Sequence, residues 1–68
     1  MTKFKERFNE TIKNRSKKQS EIAKYAKVSR QCITDYKAGR SEPSIDTLYL
    51  LCKYLEVSAD YLLGLSDY

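Results

Sequence analysis

Two short amphipathic stretches joined by a three-residue turn constrain this chain more than any other feature, and they occupy residues 19–38. The first stretch places small and apolar residues at positions i, i+1 and i+4 of one helical face: Ile22, Ala23 and Ala26. The second stretch opens at Ser29, a residue type favoured as a helix N-cap, and Gly39 follows as a stop signal. Because a helix as short as the first is unstable alone, both stretches are predicted to pack against other helices.

The turn and the crossing of the two stretches determine which side chains face outward. Two helices cross closely only where a small residue lies between them, and Ala23 is predicted to lie there. Val28 is expected to fill the corner beneath the turn, and the second stretch to pack back on the first through Ile33 and Tyr36. The outward face of the second stretch is then Arg30, Gln31, Thr34, Asp35 and Ala38.

Three more helices are predicted from the apolar spacing outside this unit. One covers residues 3–15, where apolar side chains recur every four positions. Another begins after Ser44, and a last one, of one or two turns, lies between Ser58 and Gly64. Period-two alternation is absent, so no strand is predicted. The expected fold is all-α, with five short helices in a single domain over residues 1–68.

The apolar stripes of these helices predict one small core. A domain near 68 residues buries only about 60% of the surface that its unfolded chain exposes, which favours binding on an outer surface over a deep active-site cavity. The predicted core consists of Phe4, Phe8, Ile12, Ile22, Ala23, Ala26, Val28, Ile33, Tyr36, Ile45, Leu48, Leu51, Cys52, Leu55, Val57, Leu62 and Leu63.

Charge is distributed unevenly along the chain. Residues 1–40 carry 12 basic and four acidic side chains, a formal charge of +8, whereas residues 41–68 carry one basic and five acidic side chains, a charge of −4. Such segregation is typical of a protein that turns one side toward a polyanion, although a short chain can also show it by chance.

The residue types needed for most catalytic and metal sites are missing from the sequence. There is no histidine, no glycine-rich phosphate loop and no carboxylate pair beside a plausible cavity, so no enzyme is expected. Cys32 and Cys52 are expected to be free thiols in a reducing cytoplasm, with no zinc and no cofactor. Cys32 is interpreted as an inert small residue, with redox control as the alternative. Residues 1–15 are mostly charged and polar, so neither a signal peptide nor a membrane contact is expected.

The outward face of the second stretch suits contact with base edges. Arginine and glutamine bind guanine and adenine bidentately in the major groove, and a carboxylate accepts a hydrogen bond from cytosine N4. A helix of about eight residues is roughly 12 Å long, close to the groove width of about 12 Å. The predicted base-contacting residues are Arg30, Gln31, Thr34 and Asp35, although such residues are also ordinary on a solvated helix.

Residues 19–64 resemble the phage-repressor type of helix-turn-helix domain, the Cro, lambda and 434 repressor (Xre-type) family. The resemblance is carried by QSEIAKYAKVSRQCITDYKAGR, EPSIDTLYLLCKYLEVS and ADYLLG, about two-thirds of the chain. In this family the second motif helix lies in the major groove, and dimers bind half-sites one DNA turn apart. The resemblance implies a sequence-specific regulator of double-stranded DNA, a repressor that binds a near-palindromic operator as a homodimer.

The resemblance also implies phosphate contacts. Gln19 matches the family glutamine at the start of the first stretch, and Arg40 matches a basic loop position near the DNA backbone. Ser29 lies at a helix start, where free amides bind phosphate. Arg15, Lys17 and Lys18 form a basic run. Phosphate binding by at least one of them, with Lys17 and Lys18 as the candidates, and simple solvation of the run are the two alternatives.

Two departures from the family pattern concern the backbone. Lys27 and Glu56 stand where the family usually has glycine, so a left-handed backbone at Lys27 would be strained.

Leu50, Tyr54 and Leu65 are the candidate dimer contacts, and the alternative is that neighbouring elements of the same domain cover them.

Two other functions remain open at this point. One is an antitoxin-type autoregulator that binds a partner protein as well as DNA, and the other is a protein-interaction module that kept the fold. The expected location is the cytoplasm of a bacterium or phage host, at the nucleoid, and no small-molecule ligand is indicated.

Overall fold

The computed structural model describes residues 2–68 and contains five α-helices in that range. They are α1 (Phe4–Arg15), α2 (Gln19–Ala26), α3 (Arg30–Ala38), α4 (Ile45–Leu55) and α5 (Ala59–Leu63). No strand occurs among the described residues, so the predicted all-α fold of five short helices is confirmed. None of these helices is long and apolar enough to cross a membrane.

One apolar core lies between the helices, and α1 and α2 make most of the helix–helix contacts around it. α1 packs against α3, α4 and α5, and α2 packs against α3 and α4. Burying a large apolar side chain stabilises the fold by about 1.5–3 kcal/mol. The largest fully buried side chains are Phe8, Ile22, Ile33, Leu51, Leu55 and Leu62.

An aromatic cluster joins α1 to α3. The rings of Phe4 and Phe8 stack with centroids 5.0 Å apart, and the Tyr36 ring meets them edge-on at 6.2 and 6.3 Å. Nearby, the Asn9 side-chain amide donates to the backbone carbonyl of Lys37, 2.9 Å away, near the end of α3. Tyr36 therefore packs on α1, so α3 is held by α1 as well as by α2.

The predicted core is largely confirmed, and one member is wrong. Ile45 is 85% exposed, because it is the first residue of α4 and precedes the part of the helix that packs on the core, which starts at Leu48. Four partly buried members pack against the core from its edge: Val28, Leu48, Cys52 and Val57. Leu63, the last residue of α5, is half-buried.

The helix ends follow the predicted signals. The side chains of Ser29, Ser44 and Ser58 each accept a hydrogen bond from a backbone N–H three residues further on. Gly39 and Gly64 end α3 and α5 in the left-handed conformation, with φ of 79° and 88°. These caps satisfy backbone groups that helix termini otherwise leave unpaired.

Three other helix ends adopt the left-handed conformation without glycine. Ser16, Lys27 and Glu56 have φ of 52°, 60° and 59° and end α1, α2 and α4. The left-handed backbone considered for Lys27 is therefore present. Because L-residues pay roughly 1–2 kcal/mol for this conformation, these three ends are strained where glycine would not be.

Lys27→Gly is expected to raise the free energy of unfolding by about 1 kcal/mol, because glycine has no Cβ to clash at this φ. Urea unfolding followed by circular dichroism measures the change. Lys24→Gly is the matched control: it removes the same charge from within α2 and should lower stability by about 1 kcal/mol. Equal destabilisation by both variants would contradict the assignment of strain to Lys27.

Candidate nucleic-acid interface

The link between α2 and α3 is a tight turn built from local hydrogen bonds. Lys27 ends α2 in the left-handed conformation, and the Val28 N–H donates to the carbonyl of Ala23 at 3.1 Å. Ser29 is extended, with φ −77° and ψ 161°, and begins α3. Because Ile33 and Tyr36 are buried, the opposite face of α3 is turned toward solvent.

The residues on that opposite face are accessible, as the sequence predicts. Arg30, Gln31 and Thr34 are exposed, and the Asp35 side chain is 29% exposed. Accessibility is the condition for base contact, and base contact itself stays a prediction. We call these four residues the outer face of α3.

The start of α2 is tied to the outer face of α3 through Gln19. Its amide Nε2 donates to Thr34 Oγ1 at 2.5 Å and to the Arg30 carbonyl at 3.2 Å. The Thr34 hydroxyl in turn donates to the Arg30 carbonyl at 3.2 Å. The structure therefore brings together Gln19, Arg30 and Thr34, and the hydroxyl of Thr34 is already used within the protein.

A second network joins the outer face to the loop after α3. Asp35 Oδ1 accepts hydrogen bonds from Gln31 Nε2 and from Arg40 Nε, each at 3.0 Å. The backbone N–H of Arg40 also donates to the Asp35 carbonyl at 2.9 Å. The hydrogen bond from Gln31, followed by that from Arg40, lowers the pKa of the Asp35 carboxyl.

This second network is not among the contacts predicted from the sequence, although the sequence contains one signal for it. Glutamine and aspartate four residues apart on a helix are within hydrogen-bonding reach. Gln31 and Asp35 have this spacing. The third member, Arg40, lies beyond Gly39, so its approach depends on the path of the loop and not on helical periodicity.

Ser29 acts as the N-cap of α3 and contacts Cys32. Its hydroxyl accepts from the Cys32 N–H at 3.2 Å and lies 3.3 Å from the Cys32 thiol, to which it donates. Cys32 is half-buried, and both Cys32 and Cys52 are free thiols. A phosphate bound by Ser29, as the sequence predicts, would therefore contact a hydroxyl that already caps α3.

The two lysines before α2 occupy different surroundings. The Lys17 ammonium lies 4.8 Å from the centroid of the Tyr54 ring, a cation–π contact toward α4. Lys18 is exposed and is the N-cap residue of α2 without a side-chain cap bond. Of the two, Lys18 is the exposed residue that directly precedes α2.

Two of the three candidate dimer contacts are partly covered within the domain. Leu50 and Tyr54 pack against the core from its edge. The Tyr54 ring lies 4.9 Å from that of Tyr25, and its hydroxyl donates to Glu21 Oε2 at 3.3 Å. Leu65 differs because it is 77% exposed.

A family profile described as helix-turn-helix matches residues 10–62, which include α2, the turn, α3 and α4. The chain belongs to this helix-turn-helix family. This match and the structural similarity to a phage repressor described next confirm the phage-repressor-like character that residues 19–64 predicted.

Three solved structures are similar to the chain. A transcriptional regulator from Listeria innocua has a TM-score of 0.86 and 28% identity over 94% of this chain. The P22 c2 repressor in complex with a synthetic operator has a TM-score of 0.83 and 30% identity, covering 93% of this chain and 96% of the repressor chain. The DNA-binding domain of the same repressor in solution has a TM-score of 0.84 and 30% identity, covering 100% and 95%.

The lengths of these proteins differ from one case to another. This chain spans 60% of the Listeria innocua regulator chain but nearly all of the P22 c2 repressor chains. A comparison with curated protein sequences gave no significant match.

The Asp35 network predicts an acid shift that can be measured directly. The Asp35 carboxyl is expected to titrate below its ordinary pKa of 3.8. A depressed pKa in the folded state means that the stabilisation is present above pH 3.8 and is lost as the pH falls through the lower, folded value. Gln31→Ala should move this pKa upward, because it removes the largest contribution to the shift.

An NMR titration of the side-chain carboxyl carbons measures the pKa in both proteins. An Asp35 pKa that is the same in Gln31→Ala and in the unmodified chain would show that the hydrogen bond between these side chains is absent in solution.

Proposed function

We propose that this chain is a sequence-specific double-stranded DNA-binding transcriptional regulator whose α3 enters the major groove. The observation that carries the proposal is the solvent-facing surface of α3, which combines arginine and glutamine on a helix whose other face is buried. The complex of the similar P22 c2 repressor with an operator supports the same function.

Base contact is proposed at the N-terminal half of α3. A helix of nine residues is roughly 13–14 Å long, which fits a groove about 12 Å wide. Arg30 and Gln31 are the first two residues of α3, the part of a recognition helix that reaches base edges. Thr34 lies one turn further along, and because its hydroxyl is used within the protein, its methyl group offers apolar contact to a thymine methyl.

Phosphate contacts are proposed on the two flanks of α3. On one flank lie the start of α2, with Gln19 and the exposed Lys18, and the cap residue Ser29. The side-chain amide of Gln19 donates to Arg30 and Thr34, so Gln19 would contact a phosphate through its backbone N–H in the first turn of α2. On the other lies Arg40, whose Nε is bound to Asp35. The formal charge of +8 over residues 1–40 favours this arrangement, since neutralised phosphates release counterions and strengthen binding at low salt.

We further propose that the chain represses transcription as a dimer on a near-palindromic operator. Residues 1–68 would act as one domain with residues 19–38 as its helix-turn-helix unit, and the shared core supports this. One such domain makes few contacts, so two half-sites about 34–36 Å apart would be needed. Among the candidate dimer contacts, the exposed Leu65 is favoured over the partly covered Leu50 and Tyr54.

Selection from a pool of random duplexes is expected to yield a near-palindrome with half-sites about one DNA turn apart. Arg30→Ala should then weaken binding to the selected site by about 1–3 kcal/mol and relax the preference at one base pair of each half-site. Binding of duplex variants by fluorescence anisotropy measures both effects. A preference that survives Arg30→Ala at every position would refute the readout role of this residue.

Lys18→Ala is expected to weaken binding to selected and random duplexes alike, because a phosphate contact carries no base preference. It should also reduce the slope of log affinity against log salt by about 1. Lys53→Ala is the matched control, since Lys53 is an exposed lysine of α4 with its ammonium 5.4 Å from the Tyr49 ring. If the two variants change the salt slope equally, the start of α2 is not a specific phosphate site.

A further inference from the structure

Asp35 is the acidic side chain on an outer face otherwise made of arginine, glutamine and threonine. A carboxylate there repels the phosphates of any duplex. The structure gives it two partners, because Oδ1 accepts from Gln31 Nε2 and from Arg40 Nε at 3.0 Å each. The Asp35 carboxylate is therefore hydrogen-bonded to Gln31, which is proposed to read a base, and to Arg40, which is proposed to bind phosphate.

We propose that Asp35 is a positioning residue that holds Gln31 for base readout and Arg40 for phosphate contact, and that it does not itself read a base. This inference rests on the proposed function and adds the device that makes the outer face selective.

The hydrogen bond to Gln31 fixes the orientation of its amide. Once Nε2 donates to Asp35, Oε1 of the same planar amide is directed away from the carboxylate. A glutamine side chain otherwise samples many rotamers in solvent, and ordering it on binding costs conformational entropy. The carboxylate thus pre-arranges the amide before DNA arrives.

The contact with Arg40 fixes the loop beside α3. Arg40 uses Nε for Asp35 at 3.0 Å, and its backbone N–H donates to the Asp35 carbonyl at 2.9 Å. A guanidinium has five N–H donors in a fixed fork, so the donors on both Nη atoms remain for a phosphate. The loop residue is therefore anchored at two points, and the charge of its terminal nitrogens is kept at the edge of α3.

Removing the Asp35 carboxylate is expected to change affinity and base discrimination in opposite directions. Removing the carboxylate takes a negative charge off the interface, so affinity for random duplex should rise. The same change frees the Gln31 amide, so discrimination at the base pair read by Gln31 should fall. Direct readout by Asp35 gives a different pattern, because a lost carboxylate contact relaxes a base pair of its own.

The test compares Asp35→Ala, Gln31→Ala and the double variant on the site selected by the unmodified chain, on its single-base-pair variants and on random duplex. Asp35→Ala should bind random duplex more tightly and lose roughly tenfold discrimination at the same base pair as Gln31→Ala. The double variant should be no less discriminating there than Gln31→Ala alone. Thermal melts of each variant establish that the proteins are folded.

Two further variants separate charge from hydrogen bonding. Glu10→Ala removes the same charge from an exposed position of α1 and should leave every base preference unchanged. Asp35→Asn keeps an acceptor without the charge, so it should strengthen binding to random duplex while retaining part of the discrimination that Asp35→Ala loses.

Three results would overturn the inference. Asp35→Ala could relax a base pair different from the one relaxed by Gln31→Ala, which is direct readout, or it could leave all preferences intact. If the unmodified chain selects no site at all, the proposed function itself fails and the positioning role fails with it. That last outcome is read from the unmodified chain alone, so the two failures are distinguishable.

Discussion

The contact between Tyr36 and the stacked rings of Phe4 and Phe8 sets the orientation on which the rest of the molecule depends. The Tyr36 ring lies edge-on to both phenylalanines, an arrangement that aromatic pairs prefer. With fully buried Ile33 on the same side of α3, it leaves the helix only one rotation about its axis. The chemistry of the opposite face, arginine, glutamine, threonine and aspartate, follows from that rotation.

The outer face of α3 is an ordered surface, held by hydrogen bonds from both sides. Gln19 reaches it from the start of α2, and Arg40 reaches it from the loop beyond α3. Between these anchors, Gln31 and Asp35 bond to each other. Since ordering side chains opposes binding, a face arranged in the free protein favours selective recognition over simple attraction to a polyanion.

Helix bounds and the outward face were predictable from local chemistry, whereas the contacts across the face were not. Serine caps, glycine stops and apolar spacing are short-range signals, and they located α2, α3 and their buried side correctly. The prediction that Ile45 is buried was wrong. Its spacing fits the apolar stripe of α4, but as the first residue of that helix it is 85% exposed. The approach of Arg40 to Asp35 depends on a loop path, which no periodicity encodes.

The proposed DNA interface consists of the outer face of α3 and the start of α2. Titrating isotope-labelled protein with a short duplex of the selected sequence, and following backbone amide shifts by NMR, tests this interface. The largest shift changes are expected on residues 18–19 and 29–35, with further changes at Arg40. Changes confined to α4 and α5, with the amides of α3 unmoved, would contradict it.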